Sequence, residues 1–130
     1  MTANELMICD LVLYKNKPII VWEIDEYYNR INTEPDGYNA ITCVDISDIK
    51  PIPLTAEILE KNGFIKQSFD GWMLRTENYS IMWRIDYGEP NLNIDSWSAY
   101  YGTFHKFGIS FVHELQHALR LCNIEKEIDC

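Results

Sequence analysis

Residues 111–122, FVHELQHALRLC, constrain the fold more than any other stretch of the chain. Wound as a helix, Val112, Leu115, Leu119 and Cys122 fall on one line with Phe111 and Ala118 beside it. That is an apolar stripe at helical period, and it must be laid on a core. His113, Gln116, His117 and Arg120 fall on the opposite side, where the spacing predicts a solvated or partner-facing surface. Almost everything upstream has the pattern of strands, so the helix is expected to close a sheet.

The strand pattern runs through most of the chain. Residues 6–14 and 18–25 are β-rich apolar runs around Lys15-Asn16-Lys17, which predicts an opening hairpin. In its second strand Ile20, Trp22 and Ile24 should share one face, with Val21, Glu23 and Asp25 on the other. Residues 27–39, tipped by Pro35-Asp36-Gly37, predict a loop, and 40–45 a strand. Pro51-Ile52-Pro53 leads into a short helix with Thr55 as N-cap, Ile58 and Leu59 as anchors and Asn62-Gly63 as its left-handed stop. Residues 64–68, 72–76 and 79–87 alternate again, with Ile81, Trp83 and Ile85 facing one way. Gly88-Glu89-Pro90 should break the sheet before 91–97 and 100–106 complete a meander. The expected fold is α+β over a single domain, 1–130. It is an antiparallel sheet or small SH3-like barrel with a short mid-chain helix and a C-terminal helix packed on it.

Composition narrows the partners. Eleven Lys and Arg stand against 20 Asp and Glu, a net charge of -9. Such a surface repels a phosphate backbone, and no basic stripe overrides it, so nucleic-acid binding is not expected. No apolar run reaches the roughly 18–20 residues that span a bilayer. MTANELMICD lacks a basic start and carries Glu5 and Asp10, unlike a signal peptide. A cytoplasmic protein is expected. Cys9, Cys43, Cys122 and Cys130 show no C-x-x-C spacing and are expected as reduced, small hydrophobes, with Cys130 a loose thiol.

Two strings carry a resemblance. PIPLTAEILEKNGF at 51–64 and FVHELQHALRLC at 111–122 resemble small uncharacterised proteins of gut bacteria and of their phages and prophages. In that group an SH3-like β start precedes a PIPLT helix, and a VHELQ-type helix lies near the C-terminus. Residues 65–110 carry no part of the likeness. The resemblance implies phage or mobile-element provenance, a location in the host cell, and a fold. It assigns no catalytic residue.

Two constellations bear chemistry. His113 and His117, four apart with Glu114 between them, spell H-E-x-x-H: two imidazoles for zinc and a carboxylate to activate its water. A third ligand is needed, yet Arg120 and Asn123 stand where a metzincin continuation wants Gly and His. Glu125 and Glu127 are too close for the usual second helix. The second constellation is aromatic. Trp97, Tyr100, Tyr101, Phe104, His105 and Phe107 crowd together, and Arg84 or Lys106 could meet an anionic group on a ligand stacked there. No Gly-rich phosphate loop is present. The expected function is a non-enzymatic binding module with no cofactor, acting on a host protein or sequestering a small host-made ligand such as a nucleotide immune signal. Its ligand-binding residues would be Trp97, Tyr100, Tyr101, His105 and Arg84. The rivals are a minimal zinc hydrolase, with Glu114 catalytic and His113 and His117 on the metal, and a viral structural or assembly protein.

Overall fold

Lys15 and Asn16 both adopt left-handed backbone, φ 50 and 62. This tight turn folds β1 (Leu11–Tyr14) back on β2 (Lys17–Asp25) with Tyr14 opposite Lys17, the twist-matched geometry of a two-residue hairpin. The structure, a computed structural model, describes residues 1–33, 43–97 and 102–130. It divides the chain into two compact units, Met1–Pro53 and Leu54–Cys130, each built on one five-stranded antiparallel sheet. Neither sheet closes into a barrel among the described residues.

In the first unit β3 (Arg30–Thr33), β4 (Cys43–Asp45) and β5 (Ile49–Pro51) join the hairpin in the order β4-β3-β2-β1-β5. Leu6, Val12, Val21, Ile31, Val44, Ile46 and Ile49 form its core. Three expectations fail here. The register between β2 and β3 shifts between Val21 and Glu23, so Trp22 sits on a bulge. The extra residue flips the alternation. Ile19, Val21 and Ile24 reach the core, while Trp22 is 42% exposed. Residues 27–33 are not all loop, because Ile31 is buried in β3. Residues 6–10 are not strand: Cys9 takes φ 74, and the Asp10 carboxylate accepts the Met7 N–H at 2.7 Å across a tight turn.

In the second unit α1 (Ala56–Lys61) precedes β6 (Ile65–Lys66), β7 (Gly71–Arg75), β8 (Tyr79–Asp86), β9 (Glu89–Ser96), β10 (Gly102–Phe107) and α2 (Val112–Leu121). The sheet runs β10-β9-β8-β7-β6, and both helices pack on it. Its inner face is the alternation Ile81, Trp83, Leu92, Ile94, all buried. Trp83 also ties the sheet to the segment before α2, its Nε1–H donating to the Ile109 carbonyl at 2.8 Å. The Gly88-Glu89-Pro90 break is absent. Tyr87 and Gly88, φ 52 and 80, make a tight hairpin, and Pro90 pairs with Ile85 inside β9. Pro is tolerated there because Pro90 and Ile85 are a non-hydrogen-bonded pair, the Ile85 N–H going instead to the Asp70 carbonyl at 3.0 Å.

Both helices stop the same way. At α1, Thr55 Oγ1 caps the Ile58 N–H, and Gly63, φ 91, lets Phe64 N–H reach Leu59 O at 3.0 Å. At α2, Asn123, φ 57, lets Ile124 N–H reach Leu119 O at 2.8 Å. These are Schellman closures, each sending the residue after the left-handed one, Phe64 or Ile124, into the core.

Candidate functional site

Helices cover the inner face of the second sheet, and the opposite face follows from strict alternation along β7 to β10. The register lines up Gly71, Arg84, Asn91 and Phe107 in one row and Met73, Met82, Asn93 and His105 in the next. Side chains two apart on a strand share a face, so these rows are neighbours.

A chain of hydrogen bonds crosses them. Arg84 Nε donates to Asp86 Oδ2 at 2.7 Å, and Nη2 lies 2.6 Å from the same oxygen. Asn91 Nδ2 donates to that oxygen at 3.1 Å, and Asn93 Nδ2 to Asn91 Oδ1 at 3.4 Å. His105 Nδ1 closes the series on Asn93 Oδ1. An amide oxygen only accepts, so Nδ1 carries the proton, on a ring that is exposed. Asn91, fully buried, has both ends of its amide bonded and so anchors the chain rigidly. The Arg84 hydrogen bond pulls the Asp86 carboxyl below its ordinary 3.8, opposed by desolvation and helped further by Asn91.

Aromatic rings stand at both ends. Arg84 lies over the Phe69 ring, 5.8 Å from its centroid, and His105 meets Phe107 edge-on at 4.6 Å. Phe69 and Phe107 are both exposed. Gly71 makes the Phe69 placement possible: a Cβ there would stand 2.7 Å from Phe69 Cε2. From strand spacing and rise, Arg84 and His105 are about 12 Å apart along this diagonal.

The structure therefore brings together three of the residues named from the sequence, Arg84, His105 and Phe107. Trp97 lies beyond the far end of the sheet, with its Nε1–H donating to the Glu77 carbonyl and its ring under Arg75 at 5.8 Å. Tyr100 and Tyr101 lie outside the described residues. Lys106 is one residue off the parity of His105, so it stands on the opposite face from Arg84. Phe69, Asp86, Asn91 and Asn93 were missed. The signal for three of them was present in DYGEPNLNID, where polar residues alternate with Leu92 and Ile94.

The H-E-x-x-H helix is more deeply set than its spacing predicts. His113 is only 6% exposed, stacked on Phe111 at 5.9 Å and edge-on to His117 at 5.5 Å. Gln116, His117 and Arg120 are half-buried, so the expected solvated face is not there. A helix this short packs over more than its apolar stripe. Glu114 is the helix cap: its Oε1 accepts the N–H groups of Ser110 and Phe111, both at 3.1 Å. Among the described residues no three His, Cys, Asp or Glu side chains converge as a metal site would require.

Among the described residues the first unit carries a groove of about 360 Å³ around Tyr14, Lys15 and Lys50 and another of about 270 Å³ around Asp25 and Arg30. Neither is lined by a residue that the sequence marks as ligand-binding, catalytic or metal-binding. Comparison of the chain with known protein families, curated proteins and solved structures gives no match.

Proposed function

We propose that the chain is a non-enzymatic binding module, of phage or mobile-element origin as the resemblance implies, whose outward face on the second sheet engages a host protein. The observation that carries this is the bonded chain Arg84–Asp86–Asn91–Asn93–His105, held between the exposed rings of Phe69 and Phe107. Arginine and aromatic anchors set in a pre-organised polar frame are what protein interfaces concentrate their binding energy on. A small ligand such as a nucleotide is usually enclosed in a cleft, whereas an open sheet face suits a protein surface. Catalysis at the helix is disfavoured because Glu114, the base that the zinc reading requires, is engaged with backbone N–H groups.

The test is capture from a gut-bacterial lysate with parent, Arg84→Ala, Phe107→Ala and, as a control, Leu121→Ala on exposed α2 surface. One protein should be retained by the parent and by the control and lost from the two face variants. Equal retention by all four would overturn the proposal. So would calorimetric binding of a nucleotide that survives both face substitutions.

A further inference from the structure

Among the described residues four strands form the edges of the two sheets, and three of them are short. Among the described residues β4 and β5 have three residues each and β6 has two. Short edges are the usual defence against unwanted strand pairing. The fourth edge, β10, has six residues in unbroken register with β9, with no proline and no bulge, and all but Phe104 are exposed.

The direction of its free backbone groups can be worked out. Gly108 N–H donates to Pro90 O at 2.8 Å, so the even-numbered residues of this strand bond inward to β9. In an antiparallel ladder bonding alternates. Thr103, His105 and Phe107 therefore present their N–H and C=O groups outward, away from β9. Their side chains lie on the outward face described above, beside Asn93 and Asn91.

Charge selects the occupant. Residues 96–113 contain no Asp or Glu, the longest such stretch in a chain with 20 of them, and this stretch includes Lys106 and His105. Pairing β10 with a second copy would bring those cations together between two molecules of net charge -9. An acidic segment has the opposite sign at the same edge. We infer that β10 is a strand-addition site for an extended acidic segment of the partner protein. Backbone bonds to Thr103, His105 and Phe107 would supply the affinity, and a carboxylate beside Lys106 the selectivity. This rests on the binding-module proposal and adds to it how the partner is held.

The test uses blocked heptapeptides as probes, followed by amide NMR on the full chain. One alternates Val and Glu, one alternates Val and Lys, and a third is the Val-Glu peptide N-methylated at alternate residues. Before peptide is added, the Thr103, His105 and Phe107 amides should exchange with deuterium faster than those of Phe104 and Lys106. The Val-Glu peptide should shift and protect the three odd-numbered amides. The lysine peptide should not, and N-methylation should weaken binding about tenfold or more by removing edge bonds. Thr103→Pro should abolish the effect without unfolding, because that N–H points away from β9. No shifts at millimolar Val-Glu peptide would overturn the inference. Protection that depends on protein concentration alone would do so as well, by showing a second copy at the edge. Arg84→Ala separates the two proposals: it should remove host-protein capture and leave peptide binding at the edge intact.

Discussion

Arg84 and Asp86 are two apart on β8, and their pairing through one carboxylate oxygen sets the geometry of everything beyond them. The pair can be read by titration. Asp86 is held below its ordinary 3.8, first by the Arg84 hydrogen bond, so whatever it adds to stability is present above that value. It is lost as pH falls through the lowered folded value. Arg84→Ala should raise the Asp86 carboxyl in a carbon-detected NMR titration, and an unchanged midpoint would mean the guanidinium is not its partner in solution. Gly71→Ala should swing the Phe69 ring off Arg84, since the new methyl group would stand 2.7 Å from it. The expected sign is loss of the ring-current shift on the Arg84 side chain with β7 still paired. Some of this face was legible from residues alone: Arg84 and His105 were found by their chemistry. Lys106 was misplaced because adjacent strand residues point apart, a parity that composition does not reveal. Trp22 was misplaced for another reason, since a bulge is set by the neighbouring strand and leaves no local mark.

At the scale of elements, α2 shows what periodicity can and cannot tell. The stripe of Val112, Leu115, Ala118 and Leu119 is buried as its spacing predicts. Leu115→Ala should therefore cost about 2–5 kcal/mol in urea unfolding. Leu121→Ala, at 76% exposure, should stay within about 0.5 kcal/mol. Equal losses would mean the helix is rotated. Glu114 supplies a second contrast. Glu114→Ala removes two backbone bonds at the helix start and should cost about 1 kcal/mol, whereas Glu114→Gln keeps an amide oxygen to accept them. A zinc hydrolase would respond differently: stoichiometric zinc in protein prepared without added metal, lost in His113→Ala, would install that rival. The α1 stop was legible because Asn62-Gly63 states its own backbone preference, whereas the α2 stop at Asn123 was not read from the sequence. The depth of His113 was not, because it depends on what packs around a helix and not on the helix itself.

For the whole molecule, the α+β class and its helices were readable from local pattern, while the arrangement of the ten described strands into two sheets was not. Strand partners are chosen over long sequence separations, and β1 pairs with β5 across a stretch of very mixed character. The four cysteines sample both units and test burial across all of the molecule at once. Read from sequence, they were small hydrophobes with Cys130 loose. In the structure Cys9 and Cys43 are exposed, Cys122 and Cys130 are half-buried, and none is in a disulfide. Burial also raises the thiol pKa of Cys122 and of Cys130 above 9.0, with Lys61 offsetting part of the rise at Cys130. Only the thiolate attacks an alkylating reagent, so exposure and pKa act in the same direction at the two half-buried sites. With iodoacetamide at pH 8, peptide mapping should find Cys9 and Cys43 modified well before Cys122 and Cys130. In denaturant all four should react at similar rates. If Cys122 were modified as fast as Cys43 in the folded chain, α2 would be opening to solvent faster than the reagent reacts, and its cap and stripe would not hold it closed.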